Sequence, residues 1–111
     1  MNEISSIEKI QLIHQTLDYL ITDKPDKIDS YLIELEGDYY TFFHPDFLSK
    51  LCTENHISKS QKTGLACLHN LIGKIEADKW NTHAFLNDPE WVFIRETAQA
   101  LKKLMKNGKF Q

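Results

Sequence analysis

Apolar residues recur at helical spacing along most of the chain. Ile4, Ile7, Ile10, Ile13 or His14, Leu17, Leu20 and Ile21 come every three or four positions, which predicts a first helix. Ser5 and Glu8 have the spacing of a capping box at its start. Pro25 stops that helix and also suits the first turn of a second, with Asp23 or Lys24 at the cap. Ile28, Tyr31, Leu32 and Leu35 form the second buried stripe, and Gly37 suits a C-terminal cap.

The stretch Asp38-Tyr39-Tyr40-Thr41-Phe42-Phe43 is the most aromatic in the chain. It has the composition of a short strand or an extended crossing segment, and among so many helical patterns it reads as a turn. Pro45 opens a third helix with Phe47, Leu48, Leu51 and Cys52 apolar, ending at Asn55-His56. Ser58 or Ser60 caps a fourth, whose inner face is Leu65, Leu68, Leu71 or Ile72, and Ile75. Gly64 and Gly73 weaken that helix but allow a neighbour to approach closely.

Trp80 to Leu86 reads as a connector with room for one short helical turn. Asn87-Asp88-Pro89-Glu90 then supplies a cap, a first-turn proline and an acidic first turn. Trp91, Ile94, Ala98, Leu101 and Met105 make the inner stripe of the last helix, and Phe93, Thr97, Ala100 and Leu104 widen it. Lys102, Lys103 and Lys106 sit near its C-terminus, where cations complement the helix dipole, and Asn107-Gly108 ends it. The expected fold is all-α: residues 1–111 as a single compact domain of five or six helices.

Composition agrees with an ordinary globular core, at 41% hydrophobic and 11% aromatic residues. No apolar run approaches the roughly 18–20 residues needed to cross a bilayer. The N-terminus lacks the basic and apolar regions of a signal peptide, so a cytoplasmic location is expected, without membrane attachment. Cys52 and Cys67 do not make a disulfide framework and are expected to be buried thiols.

Charge changes the picture. The first 46 residues carry ten carboxylates against three lysines, a net of −7. The remaining 65 carry six against ten, a net of +4, so the overall −3 conceals a polarised chain. Such a pattern in a small protein fits the binding of another macromolecule. Nucleic acid is a poor fit: Arg95 is the one arginine, and phosphate and base recognition favour arginine.

Candidate chemistry is sparse. None of the five histidines lies four residues from another, and none follows a Cys-x-x-Cys pair, so no metal signature exists. Cys67 and His69 stand two apart and point to different faces of a helix; Cys52 and His56 have better spacing, but the helix ends there. Glu34 with Asp38 or Glu36 raises acid-base work, but without evident partner groups. The four glycines are isolated and form no phosphate-binding loop. No catalytic residue and no cofactor is expected. A helix-turn-helix over Phe47 to Leu71 is conceivable but lacks a basic patch. The best surface candidate is Glu34, Glu36, Asp38, Tyr39 and Tyr40: tyrosines suit interface centres and carboxylates hold a basic partner.

The segment Trp80-Asn81-Thr82-His83-Ala84-Phe85-Leu86-Asn87-Asp88-Pro89-Glu90-Trp91, continuing through Ile94-Arg95 and Ala98 to Leu101, resembles the closing segment of small helical immunity proteins. These belong to bacterial toxin systems, including contact-dependent growth inhibition. In them a Leu-x-Asp-Pro-x-Trp start leads into a helix with Ile or Val-Arg and spaced alanines and leucines. The match covers roughly a quarter of the chain. The resemblance implies a noncatalytic protein that binds a cognate toxin domain one-to-one, often a nuclease with a basic active-site cleft, and occludes it. The alternative expectation is a small helical DNA-binding regulator or adaptor protein.

Overall fold

The computed structural model describes residues 5–22 and 24–107; of Ser6, Lys106 and Asn107 it describes the backbone alone. Ile4, Asp23 and Gly108, and the side chain of Lys106, to which the sequence assigned roles, lie outside what is described. Helices α1 (Ser6–Ile21), α2 (Pro25–Phe42), α3 (Pro45–Thr53), α4 (Lys59–Gly73), α5 (Thr82–Asn87) and α6 (Pro89–Asn107) follow one another, with a 3-10 turn at Ala77–Lys79 between α4 and α5. The described residues contain no strand, and the protein is all-α. The radius of gyration is 13.7 Å, close to the roughly 13 Å expected for a compact chain of this length.

The helix ends follow from side chains that replace missing backbone partners. Ser5 Oγ accepts from the Glu8 N–H at 3.1 Å, and Glu8 Oε1 accepts from the Ser5 N–H at 3.0 Å, completing the box at the start of α1. Ser58 and Gln61 repeat the motif on α4 at 3.1 and 2.8 Å, so Ser58, not Ser60, is the cap. Lys24 stands at the N-cap of α2 without a side-chain bond. The α3 helix closes as a Schellman motif: the His56 N–H bonds the Leu51 carbonyl at 2.9 Å and the Asn55 N–H bonds Cys52 at 3.0 Å. Asn55 takes the left-handed conformation this requires, at φ 66°.

Two sequence readings are corrected in α2. The aromatic stretch from Asp38 is neither strand nor turn but the last turns of the helix, which runs on to Phe42. Gly37 lies inside the helix and caps nothing. The stop comes later, where Pro45 keeps His44 out of helical geometry at φ −65° and ψ 136°. The short helical turn in the segment after Trp80 is α5, which runs on to Asn87 and is capped by Asn81 Oδ1 through the Ala84 N–H at 2.8 Å.

Helix α6 packs against α1, α4 and α5; α1 packs on α2, and α3 on α4. Ile13, Leu17, Leu20, Ile28, Leu35, Phe43, Leu48, Leu65, Leu68, Ile72, Phe85, Trp91 and Ile94 are buried between them. Such side chains contribute about 1.5–3 kcal/mol each when fully buried. Gly64 permits the α4–α6 contact, because Leu101 occupies the space where a Cβ would stand. Three further expectations fail at the surface. Ile7 is exposed, Phe93 and Leu104 lie outside the buried stripe of α6, and Cys67 is exposed rather than buried.

Candidate functional site

The five residues singled out in the sequence all belong to α2 but do not share one side of it. Successive residues turn by about 100° around a helix. Leu32 and Leu35 fix the inward direction. Tyr39 leans toward that side and is half-buried, while Glu34 and Asp38 lie on one margin and Glu36 and Tyr40 on the other. Along the outward crest between the margins stand Ile33, 73% exposed, and Gly37. Tyr40 is 59% exposed. Ile33 lies outside the apolar stripe of α2 and so carries no periodicity signal of its own.

The margin beside α1 is acidic and aromatic. Tyr19 of α1 stacks on Tyr31 of α2 with ring centroids 5.0 Å apart. The two rings line a groove with Gln15, Asp18, Thr22 and Lys24. Glu34 and Asp38 stand one turn apart on the same helix edge. Burial, and then the charge of Glu34, raise the Asp38 carboxyl above its ordinary value. The Tyr19 hydroxyl is raised too, first by burial and then by Asp38 and Glu34. Among the described residues no lysine or arginine forms an ion pair with Glu34, Glu36 or Asp38.

The opposite margin is an aromatic and histidine cluster. Tyr39 meets Trp80 at 6.1 Å and His69 at 5.7 Å between centroids. Tyr40 lies 5.7 Å from His69 and 5.8 Å from His44, and the two histidines are 5.3 Å apart. His44 Nδ1 accepts the Asp46 N–H at 3.1 Å, so it caps α3 and carries no proton on that nitrogen. The His69 Nε2 is buried without a hydrogen bond. Burial, reinforced by His44, lowers the His69 imidazole below its ordinary value. The Tyr39 hydroxyl reaches over Gly73 and is raised by burial, then by Glu36 and Tyr40. Sequence reasoning missed this cluster because His44 and His69 are far apart in the chain.

The C-terminal segment with the resemblance is built around three rings. Trp91 is fully buried, 5.2 Å from Trp80 and 5.1 Å from Phe85 between centroids. Its Nε1–H donates to the Lys79 carbonyl at 2.8 Å. Arg95 lies over the Phe85 ring at 4.9 Å and donates through Nη2 to the Phe85 carbonyl. Asp88 caps α6 through the Glu90 N–H at 2.9 Å, and both carboxylates pair with Lys79 at 3.3 and 3.2 Å. Asp-Pro-Glu-Trp therefore does structural work here: it starts α6 and seats Trp91.

The described residues hold no group of three or more metal-ligating side chains, and no described helix is long and apolar enough to cross a membrane. What α2 presents to solvent is an exposed isoleucine on its crest with carboxylates along both margins. No family model matches the chain, and comparison with curated proteins and with solved structures likewise finds no match.

Proposed function

We propose that the chain is an immunity protein, a noncatalytic cytoplasmic inhibitor that binds a cognate toxin domain one-to-one. The observation that carries this reading is the outward face of α2. Ile33 exposes apolar area on the crest, Tyr40 stands with Glu36 on one margin and Glu34 with Asp38 on the other, and the three carboxylates have no cationic partners among the described residues. An apolar centre within a polar rim is the ordinary anatomy of a protein interface. Helix α2 carries five carboxylates against one lysine, so the complementary partner is basic. A nuclease domain, whose cleft attracts phosphate, presents such a surface.

The unpaired carboxylates bear on energetics as well. Asp38 and Glu34 repel each other in the free chain, and a cation delivered by the partner would remove that cost. Binding would then gain from relief of strain in addition to new contacts. Tyr39 would act indirectly, by holding Tyr40 and the helix margin against Trp80 and His69.

Growth rescue tests the function. The chain is expressed in cells together with the protein encoded immediately upstream of its gene. The expected result is that the upstream protein alone arrests growth and the pair does not. An upstream protein that is harmless alone, or toxic regardless of this chain, would contradict the reading.

A further inference from the structure

Helix α6 places four residues of its apolar pattern outside the core. Phe93 is 56% exposed and Leu104 42% exposed, with Ala100 exposed and Thr97 half-buried between them. The Thr97 hydroxyl donates to the Phe93 carbonyl at 2.9 Å, so its polarity is spent within the helix. These residues form one stripe, because steps of four, three and four keep them on one helix face. Leu101, one turn from both Thr97 and Leu104, abuts Gly64, so the stripe borders the α4 contact and opens onto solvent.

The stripe is self-complementary. Its spacing of four, three and four reads the same in both directions. In an antiparallel pair with a two-fold axis between Thr97 and Ala100, Phe93 therefore faces Leu104 and Thr97 faces Ala100. Small residues lie where two crossing helices come closest, and large ones lie where they diverge. Charge fits as well. Glu96 and Lys103 are both exposed, flank the stripe on one side and make no ion pair among the described residues. They are seven residues apart and so share one heptad position, and antiparallel pairing brings the Glu96 of each copy near the Lys103 of the other.

We propose that the chain self-associates through α6 as an antiparallel, two-fold dimer with Phe93, Thr97, Ala100 and Leu104 at its centre. The stripe spans about 17 Å of helix. That length places the interface at the small end of specific contacts, so the dimer is weak and forms at high concentration. It is independent of the α2 face and leaves that face open to a different partner.

Sedimentation velocity over a concentration series tests this directly. The wild-type chain should pass from monomer to dimer as its concentration rises. Phe93→Asp should remain monomeric at the same concentrations while its circular dichroism is unchanged, since the ring is already more than half exposed. Glu96→Lys should weaken association at low salt by about tenfold, and adding Lys103→Glu should restore it. A wild-type chain that stays monomeric throughout overturns the proposal. Dimerisation that survives Phe93→Asp does the same, and failure of the double reversal to restore association overturns the antiparallel pairing.

Discussion

Leu101 of α6 rests against the backbone of Gly64 on α4, in the space a Cβ at position 64 would fill. This contact brings together two helices that flank the core, and it makes the glycine a packing residue. Gly64→Ala gains up to about 1 kcal/mol of helix propensity. It also forces buried Leu101 aside, at an overpacking cost of about 1–3 kcal/mol. The expected net result is destabilisation by about 1 kcal/mol in urea unfolding. Gly37 is the internal contrast, since nothing lies within 4 Å of a Cβ built there. Gly37→Ala should stabilise the chain by about 0.5–1 kcal/mol. Equal effects at the two positions would refute this account of α4–α6 packing.

His69 makes stability depend on pH. Its folded pKa lies below the ordinary 6.5 because of burial and then His44. Between that lowered value and 6.5 the unfolded chain binds more protons than the folded one. The His69 contribution is therefore complete above 6.5 and is lost as pH falls through that value toward the folded pKa. Thermal unfolding of the wild-type chain should show a falling Tm over this window. His69→Gln should flatten the fall, and an unchanged slope in that variant would assign the effect elsewhere.

Asp38 carries the opposite sign. Its folded pKa is raised by burial and then by Glu34, so the folded chain binds more protons than the unfolded one just above 3.8. Ionised Asp38 therefore costs stability at neutral pH. Removing the like charge with Asp38→Asn should stabilise the free chain by about 0.2–0.5 kcal/mol at neutral pH. The gain should vanish in acid, where the wild-type carboxyl is protonated. Matched urea titrations at neutral and acidic pH measure both.

Trp91 joins the start of α6 to the 3-10 turn. Trp91→Phe deletes the bond to the Lys79 carbonyl and part of a fully buried ring. The loss should be about 1–3 kcal/mol from the unsatisfied carbonyl and the space left behind. Loss of that bond should also shift the Trp80 amide resonance, which belongs to the same peptide group as the Lys79 carbonyl, and an unshifted Trp80 amide would contradict it.

Much of the fold was legible in the sequence because its signals are local. Ser5 with Glu8, Pro25, Pro45 and Asp88 with Pro89 mark helix starts within a few residues, and the stripes of α1, α4 and α6 name most of the core. The end of α2 was misread because Gly37 and the aromatic run resemble a terminus, whereas the helix stops only where Pro45 constrains His44. The candidate site was legible in composition but not in direction. Ile33 was passed over because it lies outside the stripe of Ile28, Tyr31, Leu32 and Leu35, and ending the helix at Gly37 hid on which margins Asp38 and Tyr40 stand. Phe93 and Leu104 fit the α6 period yet face outward, since periodicity measures the width of an apolar face and not how much of it the neighbours cover.

In the proposed function the outward face of α2 binds a basic toxin domain. Titration calorimetry of the chain against the protein encoded upstream of its gene tests it most directly, using wild type, Glu34→Lys with Asp38→Lys, and Ile33→Asp. The wild type should bind tightly and one-to-one, and both variants at least about a hundredfold more weakly. Wild-type binding that neither variant weakens, with folding intact, would contradict it.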